Sequence, residues 1–287
     1  MAWFLIFIGS LTNLGDGFFT KQGNKYSPEG GIFFTAAKAV TVMLFFFATD
    51  TNGFSVPKEM WIYGIAGGIL YFSASFLHFI ALKLGSFAIS MLALSYSMII
   101  PILYGLVFFK DTASVFTYLG FAAIMLSLYF LRSDKKSENN GFSVKWLICL
   151  VAVFLANGFL SVIIKVQQTA FSNACNNEFM AISLGICAVL SIVAGIIING
   201  KSNIKGFLKH GCIWGVATGL SNGVSNLIGI ILNTLMPLAI LAPTRGAVNI
   251  TASTLFSVIF YKEKLLRRQM LGIVLGIAAV VLLNIKI

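Results

Sequence analysis

The chain has 287 residues, of which 58% are hydrophobic and 10% charged, with a net charge of +11. An average soluble domain is nearer a quarter charged, so the composition excludes a soluble globular protein. The basic residues lie mostly in short loops between apolar runs, which speaks for orientation and lipid headgroup contact and against nucleic acid as a partner.

Ten apolar runs follow one another: Ala2–Thr20, Gly31–Thr49, Met60–Leu82, Ser86–Phe109, Ala113–Leu131, Val144–Gln167, Phe179–Asn199, Phe207–Leu232, Leu238–Tyr261 and Gln269–Lys286. Each has about 18–25 residues, enough to cross about 30 Å of hydrocarbon as a helix. Met1-Ala2-Trp3 enters the first run with no basic residue before it and no small-residue cleavage site after it. The first helix is therefore expected to be retained.

The first run carries Asn13 and, between Gly15 and Gly17, Asp16. An intramembrane carboxylate is a candidate for proton coupling or for pairing a cationic substrate. The alternative is a structural pair with Lys21 or Lys38. Lys38 lies in the second run, shallow enough to snorkel to the interface or to face a cavity. His78, near the end of the third run, reads as a helix-packing residue, with a proton relay as the alternative. In the fourth run Ser95-Tyr96-Ser97 places polarity at mid-span, and Tyr96 is a candidate for an inward position.

Arg132–Ser143 is the one long polar stretch and reads as a linker. The expected domains are a first five-helix repeat over 1–131, the linker over 132–143 and a second five-helix repeat over 144–287. Two echoes support this division. Ala81–Asp111 aligns without a gap on Asn233–Glu263, setting Phe108-Phe109-Lys110-Asp111 on Phe260-Tyr261-Lys262-Glu263. Asn13 and Lys21 have the spacing of Asn157 and Lys165 in the sixth run, once a short insertion near Asn173–Asn177 is allowed for. An odd number of helices per half makes the second half enter from the opposite side. The fold class expected is thus an all-α polytopic membrane protein, ten transmembrane helices as two five-helix inverted repeats.

In the eighth run Gly211, Gly215, Gly219 and Gly223 form one stripe, suited to close helix contact. Thr218, Ser221, Asn222, Ser225, Asn226 and Asn233 recur on the other side. Such a row serves either hydrogen bonds between helices or a water-filled path. The ninth run holds Arg245 roughly 10 Å deep, at 1.5 Å per residue. Pro243 and Gly246 flank it, and Asn249 follows one turn on. A guanidinium held in a cavity suits a carboxylate or phosphate, and the alternative is a side chain that snorkels.

Loops after the odd-numbered runs hold most of the basic residues, among them Lys135, Lys136, Lys262, Lys264, Arg267 and Arg268. The opposite side holds Lys58, Lys110 and Lys286, which places both termini outside. Cys149, Cys175, Cys187 and Cys212 include no CxxC and suggest neither a disulfide nor a metal. There is no GxxxxGK[ST], HExxH or GxSxG, so the sequence supports neither an ATP-driven pump nor an enzyme, and no cofactor is expected.

An acidic residue at the end of the fourth and ninth runs, followed by a glycine in the next, gives Asp111 with Gly120 and Glu263 with Gly272, Gln269 lying between the second pair. In this the chain resembles the drug/metabolite transporter superfamily, specifically its ten-helix EamA-like members. The resemblance covers the whole chain. It implies a basket of ten helices around a central cavity, with alternating access. Asp111 stands where glutamate is more usual, and several structurally known relatives have their termini in the cytoplasm, against the charge count above.

The function expected is secondary transport of a small polar metabolite, with a lean to a carboxylate or other anionic group. Asn13, Asp16, Lys38, Tyr96, Asn157, Ser221, Asn222, Ser225, Asn226, Arg245 and Asn249 are the candidate cavity residues. The alternatives are a proton-coupled exporter of cationic or aromatic drugs, supported by Asp16 and by the 27 phenylalanines, and a non-transporting membrane subunit. The expected partners are a small-molecule substrate, the bilayer and, as an option, a coupling proton. The expected setting is a plasma membrane, that of a bacterial inner membrane, with the protein a monomer or homodimer.

Overall fold

In the computed structural model the described residues are 2–27, 30–50, 53, 55–97, 99–108, 115–131, 144–172, 174–199, 202–235, 238–262 and 265–282. Asp111, Glu263 and the 132–143 stretch lie outside them. Among the described residues the chain is helical and has no strand. The helices are α1 (Ala2–Tyr26), α2 (Gly31–Thr49), α3 (Met60–Leu84), α4 (Phe87–Tyr96), α5 (Ile99–Phe108), α6 (Val115–Leu131), α7 (Val144–Ala170), α8 (Asn176–Asn199), α9 (Ser202–His210), α10 (Cys212–Leu235), α11 (Leu238–Phe260) and α12 (Arg267–Leu282). Among the described residues four stretches are long and apolar enough to cross a membrane, in α2, α3, α7 and α8. This is an all-α membrane protein.

Two elements differ from the expected runs. In the fourth run α4 ends at Tyr96 and α5 begins at Ile99, with a tighter turn at Ser97. Pro101 has no N–H to donate to the carbonyl four residues back, which belongs to Ser97. Ile100 N–H donates to that carbonyl instead, at 3.2 Å, in a tighter turn. Ser97 Oγ adds a bond to Leu94 O at 2.6 Å, the local competition that weakens helices at serine. The eighth run begins later than expected, because Gly211 separates the short α9 from α10.

The described chain forms two compact units, each drawing on both halves of the sequence. One comprises Gly15–Lys83 and Cys149–Gly223. Within it α2 runs along α8. The glycine stripe of α10 lies against α2: a Cβ on Gly215 would stand 2.8 Å from Ala37 Cβ, and one on Gly219 would stand 2.8 Å from the Lys38 carbonyl. Phe33, Phe34, Phe79 and Phe207 form an aromatic cluster joining α2, α3 and α9.

The other unit comprises Met1–Leu14, Leu84–Ile148 and Val224–Ile287. Within it α4 packs on α11, and α6 runs along α12. Ile6, Ile228 and Leu232 form a cluster with Val248 beside it, so the starts of α1, the end of α10 and α11 share one apolar seam. Three of the pairs are counterparts in chain order, second run with seventh, fourth with ninth and fifth with tenth, while α11 also packs on its sequence neighbour α12.

Candidate binding residues

In the unit that holds Gly15–Lys83, three helices bring one polar group each to a single carboxylate. Lys38 Nζ of α2 stands 2.9 Å from Asp16 Oδ2 and 3.1 Å from Oδ1. Asn222 Nδ2 of α10 donates to Oδ2 at 2.7 Å. Thr20, one turn on from Asp16, donates to its backbone carbonyl at 2.7 Å and comes within 3.4 Å of Oδ1. The Lys38 and Asp16 side chains are 12% and 10% exposed. At that burial Lys38 is an ion-pair partner and not a side chain stretched to the interface.

The polar side of α10 thus divides. Asn222 makes a bond between helices. Thr218 is buried and its Oγ1 donates back to Trp214 O at 2.7 Å. Ser221 Oγ lies against Gly15 of α1, 3.0 Å from where a Cβ there would sit. Asn157 is half-buried on α7, and its carbonyl accepts Ser161 Oγ at 2.9 Å.

Sequence reasoning passed over two members of this seam, Thr20 and Asn24. They follow Asp16 at the four-residue spacing that puts side chains on one helical stripe, and that spacing was the available signal. Asn24 Nδ2 donates to Phe79 O of α3 at 2.9 Å. Next to Phe79, His78 is 7% exposed. His78 Nε2 and Asn24 Oδ1 have no hydrogen-bond partner among the described residues.

The unit that holds Val224–Ile287 contains Asn13, Tyr96, Ser225, Asn226, Arg245 and Asn249. Tyr96 is buried, and its hydroxyl pairs with Ser127 Oγ at 2.5 Å. Ser127 Oγ donates in turn to Gly272 O at 2.6 Å. The Tyr96 ring tip also occupies the space beside Gly276 that a Cβ would need. Tyr96 therefore ties α4 to α6 and α12, and Gly272 and Gly276 are the contact surface it uses.

Arg245 is half-buried, and its guanidinium lies over Gly229 of α10, where a Cβ would stand 3.0 Å from Nη1. Among the described residues it has no acidic partner. Asn249, one turn on, has a buried Oδ1 without a hydrogen-bond partner among the described residues. Ser225 is buried, while Asn13 and Asn226 are half-buried. No group of three or more His, Cys, Asp or Glu residues suited to a metal occurs among the described residues.

The fold and these groups define a helical membrane protein with charged side chains held inside apolar helices. No family model and no curated protein matches the sequence. A solved structure described only as "Crystal structure of protein" is similar at a TM-score of 0.59 and 16% identity, over 96% of this chain and 97% of that one. At that identity the likeness concerns the fold alone.

Proposed function

We propose that the chain is a secondary transporter that moves a small polar metabolite bearing a carboxylate or other anionic group by alternating access. Ten membrane-crossing segments in two inverted five-segment repeats, of the EamA-like kind within the drug/metabolite transporter superfamily, is the architecture this reading assumes. The counterpart pairing of α2 with α8, α4 with α11 and α6 with α12 supports such a repeat. Inverted repeats are common in secondary transporters. A plasma membrane, multi-pass setting goes with the same reading.

One observation carries the anionic preference. The Arg245 guanidinium is half-buried against Gly229 with no acidic partner among the described residues. A desolvated guanidinium without a counter-ion is costly and favours an incoming anion. The drug-exporter reading has less support, because the Asp16 carboxylate it needs is already matched by Lys38 and Asn222. The test is flux of labelled small carboxylates in proteoliposomes. Wild type should transport at least one, and Arg245→Ala should lose most of that flux. Equal flux in the variant would take Arg245 out of the site, and no flux of any anion in wild type would sink the reading.

A further inference from the structure

We propose that the end of α1 and the α9–α10 junction form a docking site for an anionic phospholipid, with its headgroup on Lys25 and Lys209 and an acyl chain along α10. The two segments meet at Phe207. That ring is buried with Phe33, Phe34 and Phe79, and a Cβ on Gly30 would stand 2.9 Å from its Cδ2. A Cβ on Gly211 would stand 2.8 Å from Ser27 Cβ. The chain leaving α1 therefore lies against the start of α10. Helix α1 has 25 residues and α10 has 24, each about 36–38 Å long at 1.5 Å per residue. Both exceed the ~30 Å of hydrocarbon. Lys25, at the end of α1, and α9, ahead of α10, thus fall at headgroup level.

Charge at this place is almost all of one sign. Lys25 and Lys209 are exposed, and neither has a carboxylate partner among the described residues. The sequence sets Lys205 one turn before Lys209 and has no Asp or Glu between Phe179 and Lys262. Glu29 is the one acidic residue between Gly17 and Thr49. Aromatic rings frame the cations. Tyr26 stacks on Trp214 with centroids 5.6 Å apart and planes 7° apart, and Lys25 Nζ lies 5.5 Å from the Tyr26 centroid. Tyrosine and tryptophan concentrate where headgroups meet acyl chains, and clustered lysines there draw anionic lipid. Away from the lysines the surface is apolar. Leu208 is 59% exposed, and Ile213, Val216 and Leu220 form an exposed stripe of α10 at three- and four-residue spacing. A basic tip with an apolar stripe leading from it matches a phospholipid, whereas a soluble anion would leave the stripe uncovered. The site is independent of what the chain carries.

Trp214 reports on the site. Full-length protein in phosphatidylcholine vesicles is titrated with phosphatidylglycerol or phosphatidylcholine brominated high on the acyl chain. The quenching that disappears in Trp214→Phe is the share of Trp214. Phosphatidylglycerol should quench that share at a several-fold lower mole fraction than phosphatidylcholine. A lysine beside an anionic lipid surface is worth about fivefold in association. Lys25→Gln and Lys209→Gln should each weaken the preference by up to that factor, and the double variant should abolish it. Lys58→Gln, at an exposed lysine ahead of α3, should keep it. Inorganic phosphate added at constant ionic strength should leave it unchanged. Equal quenching by the two lipids in wild type overturns the proposal, as does a preference that survives in the double variant or is lost in Lys58→Gln. Loss of the preference on adding phosphate makes this a site for a free anion and overturns the lipid assignment. Should the double variant fail to fold, the wild type decides. At about 1 M salt, where the Debye length is about 3 Å, the preference must vanish, and a preference indifferent to salt overturns the proposal.

Discussion

Asn222 and Lys38 converge on the same oxygen of Asp16, at 2.7 and 2.9 Å. Three helices meet at one carboxylate. Removing one member of a buried ion pair strands the other charge, which costs about 3–5 kcal/mol. Lys38→Met should therefore lower thermal stability in detergent by more than the double variant Asp16→Asn/Lys38→Met, which leaves no charge behind. A single variant as stable as the double would show that the pair is solvated.

Asn222→Ala removes a hydrogen bond to a charged acceptor, a loss of about 1.5–3 kcal/mol. Asn222→Ser is too short to reach Asp16 and should cost nearly as much. Denaturation midpoints for the two variants check this, and a neutral Asn222→Ala would mean that Lys38 alone satisfies the carboxylate.

The glycines divide by what lies beside them. Gly219→Ala drives a methyl to within 2.8 Å of the Lys38 carbonyl and 2.6 Å of Thr41 Cβ. Overpacking of this kind costs about 1–3 kcal/mol. Gly206, in the middle of α9, has nothing within 4 Å of a new Cβ. There alanine should stabilise by about 0.5–1 kcal/mol, by restricting the unfolded chain and favouring the helix. Opposite signs for the two substitutions in one thermal-shift series is the expected outcome.

Tyr96 and Ser127 form a chain that ends on Gly272 O. Tyr96→Phe leaves Ser127 with an acceptor and should cost about 0.5–1.5 kcal/mol. Ser127→Ala strands a buried phenol and leaves Gly272 O without that donor, so it should cost more, about 1–3 kcal/mol. The reverse order would mean that the Tyr96 hydroxyl finds another partner.

The membrane class was legible because composition alone excludes a soluble core. The glycine stripe of α10 was legible too, since a four-residue period in small side chains has few uses other than close packing. Asp16 showed itself as an oddity in an apolar run, and Lys38 was one of two partners its position allowed. What could not be read was the choice between them, or the part played by Asn222, because both depend on how α2 and α10 face α1. The tighter turn at Ser97 was hidden for another reason. Ser95-Tyr96-Ser97 looked like a polar mid-span, whereas the missing N–H of Pro101 is felt four residues upstream. Tyr96 was read as facing a cavity, and its hydroxyl is used instead to bind α4 to α6, a contact across the fold that no local pattern announces.

The pairing of α2 with α8, of α4 with α11 and of α6 with α12 has a consequence for biosynthesis. Each of these three early helices has its mate in the second half of the chain. At 5–20 residues per second, α8 emerges on the order of ten seconds after α2. During that interval the faces of α2 that will meet α8 must be covered by lipid, by the insertion machinery or by the other helices already made. Expressed alone, the first half is expected to insert and then be degraded or associate loosely, while co-expression of the two halves, cut within 132–143, should restore a stable protein.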